Sequence, residues 1–200
     1  MKISVILAHP GEGSFNHAIA DEVVSTLRDS GHSVTVHDLY REKFDPLLPH
    51  DEISRDAPLP PAVASHCAEI AVTDGIIIVH PNWWGMPPAI LKGWIDRILR
   101  PGIAYRFLES DAGEGIPIGL LSAKAVIVFN TSNTPAQREQ EVFGDPLERI
   151  WKDCIVSFCG VPVFCRKMFG VIATSSKEQR LAWLGEVRDL TRRTFPPATS

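Results

Sequence analysis

The chain has 200 residues, 20 basic and 24 acidic side chains, and a formal net charge of −4. That length supports one domain with a full apolar core and no need of metal or disulfide help. The mild negative charge argues against nucleic acid or an anionic membrane as the main partner.

The N-terminal "ISVILAH" (3–9) is apolar and β-branched, as a strand covered on both faces should be. It lacks the length and cleavage site of a signal peptide. No apolar run reaches the roughly 18 residues that cross a bilayer, so a cytoplasmic address without membrane insertion is expected. Phe15, Ala18, Ile19, Val23 and Leu27 then recur near helical spacing, with Gly31 as a stop. "SVTVHDL" (33–39) predicts a second strand near a sheet edge. The proline-rich segment 41–61 reads as a loop with one helical turn, followed by a helix over about 61–73.

"GIIIVHP" (75–81) is the third strand, and Pro88 to Leu99 form an amphipathic helix ended by Pro101-Gly102. "YRF" and "GEGIPIG" within 103–122 suggest a hairpin excursion. "KAVIVFN" (124–130) is the fourth strand. A long helix is expected from about 135 to 159, stopping at Gly160. "PVFCRKMFGVI" (162–172) supplies the fifth strand, and Ser175 with Glu178 fits a capping box opening a last helix that runs to about Thr194. Residues 196–200 read as a frayed tail. The four cysteines form no CxxC pair and no zinc spacing; Cys154 and Cys159, on the predicted helix, read as buried structural thiols, and no metal is expected.

Five strands alternating with helices imply a single α/β domain (1–200) with a parallel sheet wrapped on both sides. Ligands in such sheets bind beyond the carboxyl ends of the strands, which selects three loops. "AHPGEGSFN" runs into a helix, whose open N–H groups and partial positive charge suit a phosphate. Ser14, Asn16 and His9 offer hydrogen bonds there; Ser14 as a mere helix cap is the bland alternative. Neither GxGxxG nor the GxxxxGK[ST] loop is present. In "HPNWWGMPPAILKGWIDRIL", Trp83 and Trp84 stand on a stiff turn and suit stacking on a planar ring; the alternative is packing into the core or an interface. Lys92 and Asp96 read as a surface pair, Trp94 and Ile95 as core or interface. "FNTSNTPAQRE" is polar enough to bond a heterocycle's edge or to serve only as a turn. Phosphate, ring and ring edge together describe a flavin mononucleotide.

These stretches resemble the flavodoxin-like NAD(P)H:quinone oxidoreductase family. The resemblance runs from Lys2 to about Phe195 and is carried by H-P-x-x-x-S-F-N at the N-terminus and P-x-W-W-x-x-P-P-A-x-L-K-G-W-x-D at Pro81 to Asp96. It implies a three-layer, doubly wound fold with a five-stranded parallel sheet in order 2-1-3-4-5, and a homodimer with FMN or FAD at its interface. By the same resemblance His9, Ser14, Phe15 and Asn16 hold the phosphate end. Pro81, Asn82, Trp83 and Trp84 line the ring, and Asn130, Thr131, Ser132, Asn133 and Thr134 meet its polar edge. Hydride would pass from NAD(P)H through the flavin to a quinone by a ping-pong route, with azo dyes and nitroaromatics as side substrates. Animal relatives carry a Tyr and a His that steady the reduced flavin; Gln137 and Phe143 stand there instead, so that relay cannot run. Arg138, Glu139 and Tyr105 remain as alternative polar groups. A flavodoxin-like electron carrier and a regulatory subunit of a potassium-efflux transporter are the rival readings.

Overall fold

The computed structural model describes residues 1–108 and 115–197. Its central sheet contains β1 (Lys2–Leu7), β2 (Ser33–Asp38), β3 (Gly75–Pro81), β6 (Ala125–Thr131) and β7 (Val163–Phe169). All pairings are parallel and the order is β2-β1-β3-β6-β7, which is the expected 2-1-3-4-5 when the five sheet strands are counted alone. β2 is indeed an edge strand. β4 (Tyr105–Phe107) and β5 (Pro117–Gly119) form the expected hairpin as a separate antiparallel pair. Gly113 and Glu114 of its connection lie outside the described residues, as do 198–200 of the expected tail.

Side-chain alternation along each strand feeds two separate apolar clusters. Ile6, Ile76, Ile78, Val126 and Val128 pack with α2 (Pro61–Val72), α3 (Ala89–Ile98) and the helical stretch around Trp151. Ile3, Val5, Ile77, Val79, Ile127 and Phe129 pack with α1 (Phe15–Asp29) and α6 (Lys177–Thr194). Trp94 belongs to the first cluster, 1% exposed, with its indole N–H donated to His66 Nδ1 at 3.0 Å. Lys92 and Asp96 form the expected exposed pair at 2.6 Å.

Three expectations need correction. The long helix over 135–159 is broken: α4 (Ala136–Glu141) ends, the chain turns through Gly144 (φ 69°) and Asp145 (φ 45°), and α5 (Pro146–Arg149) runs on into a π-helical turn, Ile150–Val156. Two consecutive left-handed residues followed by proline cannot continue a helix. The cap of α6 is Ser176, whose Oγ accepts from Gln179 N; Ser175 instead bonds Ile172 O and receives Arg180 Nε. Cys154 is exposed, because it sits on the outer side of the π-helical turn, whereas Cys159 is buried; all four thiols are free. Among the described residues no helix is long and apolar enough to cross a membrane.

Candidate functional site

The loops that follow β1, β3 and β6 converge at one end of the sheet around a cleft of about 740 Å³, within the size range of small-molecule sites. Twelve of the thirteen residues expected at a site line it: His9, Ser14, Phe15, Asn16, Pro81 to Trp84 and Thr131 to Thr134. Asn130 does not. It is fully buried on the opposite side of β6, where its Oδ1 accepts from Arg166 Nε at 2.9 Å. The cause is strand parity, since Asn130 is still in β6 and points away from the face that Phe129 and Thr131 share.

In the first loop, Ser14 caps α1 by accepting from His17 N at 3.3 Å, so the bland reading of Ser14 holds as a local fact. Phe15 and Asn16, the first helical residues, have no carbonyl within their own helix for their N–H groups, both line the cleft, and no acidic residue occupies the first turn. Gly13 (φ 73°) takes the left-handed conformation that brings the chain to that start. His9 Nδ1 receives Gly11 N at 3.1 Å and so shapes the loop. Burial holds the His9 pKa below its usual value, aided by the neighbouring His17 and opposed by the Gly11 carbonyl. Phe15 is an anchor rather than a donor: its ring packs on Phe169 and Trp183, with the Arg180 guanidinium 5.8 Å away. Asn16 Nδ2 bonds Thr131 Oγ1 at 3.0 Å, tying the first loop to the third, and its buried Oδ1 has no partner among the described residues.

The second loop is a tight turn closed by Trp83 N to Met86 O (3.1 Å) and Met86 N to Trp83 O (3.0 Å). Trp84 (φ 58°) and Gly85 (φ 71°) at its centre are both left-handed, the mark of a type I′ turn. A tryptophan there is under backbone strain of about 1–2 kcal/mol. Trp84 is also fully exposed, at 101%, and Trp83 is 41% exposed. Core packing is therefore excluded for Trp84.

The third loop is pinned by Ser132 N to Phe169 O (2.8 Å) and by Asn133 Oδ1, which accepts from Ala173 N (2.9 Å). Four lining groups were not expected among the binding residues: Phe143, Pro146, Ile172 and Arg180. Arg180 comes from α6, held by Ser175 Oγ (2.8 Å) and Ile172 O (3.0 Å), and brings a permanent positive charge to the cleft. Of the open alternatives, Arg138 lies over the Phe143 ring and Tyr105 packs on Phe158, so neither lines the cleft. Glu139 does. Gln137 turns to Glu141 (3.1 Å), and Phe143 reaches the cleft as an apolar wall.

A second polar cluster, outside the cleft, joins His37, Glu42, His66 and Glu69. The first three bring ligand-type atoms within 4.8 Å of one another. Their nitrogens are already engaged: His66 Nδ1 accepts the Trp94 N–H, which puts its proton on Nε2 facing Glu42, and His37 has a carboxylate 3.0 Å from each nitrogen. The set thus serves as an ion cluster. Burial opposes the charge on His37, but hydrogen bonds and charge from Glu69 and Glu42 outweigh it and raise its pKa above 6.5. Burial, with charged His37 beside it, pushes His66 down to about 4. Burial does the same to His80, aided by Arg166 and against the pull of the Pro81 carbonyl, also to about 4. A raised histidine stabilises below its unfolded value and loses that contribution as pH rises through the folded pKa; the lowered pair lose theirs as pH falls from 6.5 toward 4. The thermal midpoint is accordingly expected to peak near pH 6.5, and His37→Asn should flatten the alkaline limb and, by relieving His66, soften the acid limb as well. A flat profile across pH 4–8 would refute this assignment.

A family model described as flavodoxin-like fold matches residues 1–186. An uncharacterized NAD(P)H oxidoreductase of Haemophilus influenzae is 31% identical over 187 residues, covering 90% of this chain and 89% of that protein. A ribosyldihydronicotinamide dehydrogenase (quinone) of Mus musculus is 28% identical over 207 residues, with coverage of 92% and 87%. The crystal structure of Smu.1420 from Streptococcus mutans superposes with a TM-score of 0.82 at 28% identity, over 96% of this chain and 100% of that one. The match over nearly the whole length, with a relative of that identity, shows that the chain belongs to the flavodoxin-like NAD(P)H:quinone oxidoreductase family.

Proposed function

We propose that the chain is a flavin-dependent oxidoreductase that moves hydride from NAD(P)H to a quinone-type acceptor, with FMN as the favoured cofactor over FAD. One observation carries this reading: the capped start of α1, the Trp83–Trp84 turn and the Ser132–Thr134 loop share one cleft. The residues suit the group. Open N–H groups at the head of α1 and the Arg180 guanidinium would hold a phosphate. Trp83 and Trp84 would flank a conjugated ring, and the Thr131–Thr134 segment with Asn82 would bond its heteroatom edge. Buried Asn16 Oδ1, without a partner among the described residues, is an acceptor at the same place.

A bound flavin accepts and returns hydride by its own chemistry; the protein supplies orientation and electrostatics. The open side of the cleft would admit the nicotinamide and the acceptor in turn, which is the ping-pong order. In this reading the doubly wound sheet acts as one domain, and a second copy of the chain covers the exposed indoles. The names of the relatives support the NAD(P)H and quinone assignments.

The deciding experiment is a visible absorption spectrum of purified protein with added FMN, before and after anaerobic NADPH. A yellow holoprotein that bleaches within seconds is expected. Uptake without bleaching would favour an electron carrier, and no uptake would overturn the flavin reading. Trp84→Ala should weaken FMN binding by roughly 5- to 150-fold, on the scale of about 1–3 kcal/mol per stacked ring, while leaving the thermal midpoint of the apoprotein unchanged. Unaltered affinity would remove that indole from the site.

A further inference from the structure

Glu139 is 4% exposed, lies in α4 and faces the cleft. Its Oε1 accepts from Asn82 Nδ2 at 2.8 Å and from Ser132 Oγ at 3.3 Å. Asn82 Oδ1 in turn accepts from Gly85 N (3.0 Å), and Ser132 Oγ from Thr134 N (3.0 Å). One carboxyl oxygen therefore holds the tryptophan turn and the third loop in a fixed relation.

The charge has no counter-ion among the described residues. Arg138 stacks on Phe143. Arg166 is engaged by Asn130, Asp145 and Glu148, and Arg180 by Ser175 and Ile172. Removing a partner from such a buried carboxylate is costly.

Resting on the flavin reading of the cleft, we propose that Glu139 is a positioning residue that locks the Trp83–Trp84 turn to the Ser132 loop and, by its negative charge, makes the bound flavin harder to reduce. Hydride from NAD(P)H carries two electrons and one proton, and the nicotinamide departs oxidised. The flavin ring gains one negative charge unless a further proton arrives from solvent. A carboxylate fixed in the cleft wall repels that charge, against the pull of the more distant Arg180, which is bonded to Ser175 and Ile172. Neither Gln137, bonded to Glu141, nor apolar Phe143 offsets it. The reduced ring then becomes a stronger hydride donor toward poor oxidants.

The test is the two-electron midpoint potential of FMN in the holoprotein, measured by equilibration with a reference dye, together with FMN affinity by fluorescence titration. The wild-type potential is expected below that of free FMN. Glu139→Gln keeps an acceptor for Asn82 and Ser132 but drops the charge. It should retain FMN affinity while favouring the reduced form about tenfold more, an upward shift of ~30 mV for a two-electron couple. Glu139→Ala, which loses both hydrogen bonds, should bind FMN roughly tenfold more weakly. A Gln variant with an unmoved potential, or an Ala variant with unmoved affinity, overturns the proposal. Should the variants fail to fold, a wild-type potential at or above that of free FMN does so alone. A wild-type protein that takes up no FMN would fail earlier, at the reading of the cleft itself.

Discussion

Replacing Arg166 with alanine is expected to lower stability by about 3–5 kcal/mol, the range for breaking a buried ion pair from one side. The side chain is 5% exposed, and its Nη1 lies 2.7 Å from Asp145 Oδ2 and 3.2 Å from Glu148 Oε2. Its Nε donates to Asn130 Oδ1, and Asn130 Nδ2 already lacks a partner among the described residues. Truncation would strand Asp145 without its counter-charge and Asn130 without any side-chain bond. Asp145 holds a left-handed backbone between α4 and α5, a conformation that persists only while its surroundings enforce it. Phe143 and Pro146, on either side, line the cleft. The variant should therefore lose FMN affinity along with a thermal midpoint drop on the order of 10 °C. Arg166→Lys should recover only part of the loss, because one ammonium cannot reproduce the planar fork. Urea unfolding with and without FMN measures both effects; an Ala variant with the wild-type midpoint would show that the network adds no stability.

The second large effect is expected at Trp94. Its indole is buried between α3 and α2, and truncation to alanine should remove about 3–5 kcal/mol. Trp94→Phe keeps most of the volume but leaves buried His66 Nδ1 without a donor, for a smaller loss of about 1–3 kcal/mol. Neither change touches the cleft lining, so FMN affinity of the folded fraction should stay at the wild-type value. A fall in affinity matching the fall in stability would mean that core and cleft are coupled.

The fold was legible because its signals are local. "IIIV" at 76–79 and "VIVF" at 126–129 are strands buried on both faces, and the parallel order follows from alternating elements and the family motifs. Loop convergence was legible for a topological reason, since parallel strands deliver their carboxyl ends to one edge. The break at "FGDP" also stood in the sequence, but helical spacing of the flanking apolar residues masked it. Asn130 was misplaced by one residue of parity, and Ser176 by one residue of capping register. Arg180 and Glu139 were a different case: Arg180 was missed, and Glu139 stood only as one of three open alternatives. Nothing in their local sequence distinguishes them from other charged residues on helices. Only packing of α6 near the first loop and the turn of α4 beneath Asn82 bring them to the cleft, and such distant contacts leave no local periodicity.

The unshielded indole at Trp84 turns the protein into its own optical reporter. Trp94 and Trp151 are sealed at 1% and 0% exposure, so a dissolved collisional quencher such as iodide would extinguish the emission of the turn long before that of the interior. Any molecule that settles over the turn, a second copy of the chain included, would shield it, and occupancy could be followed by light alone, without a label.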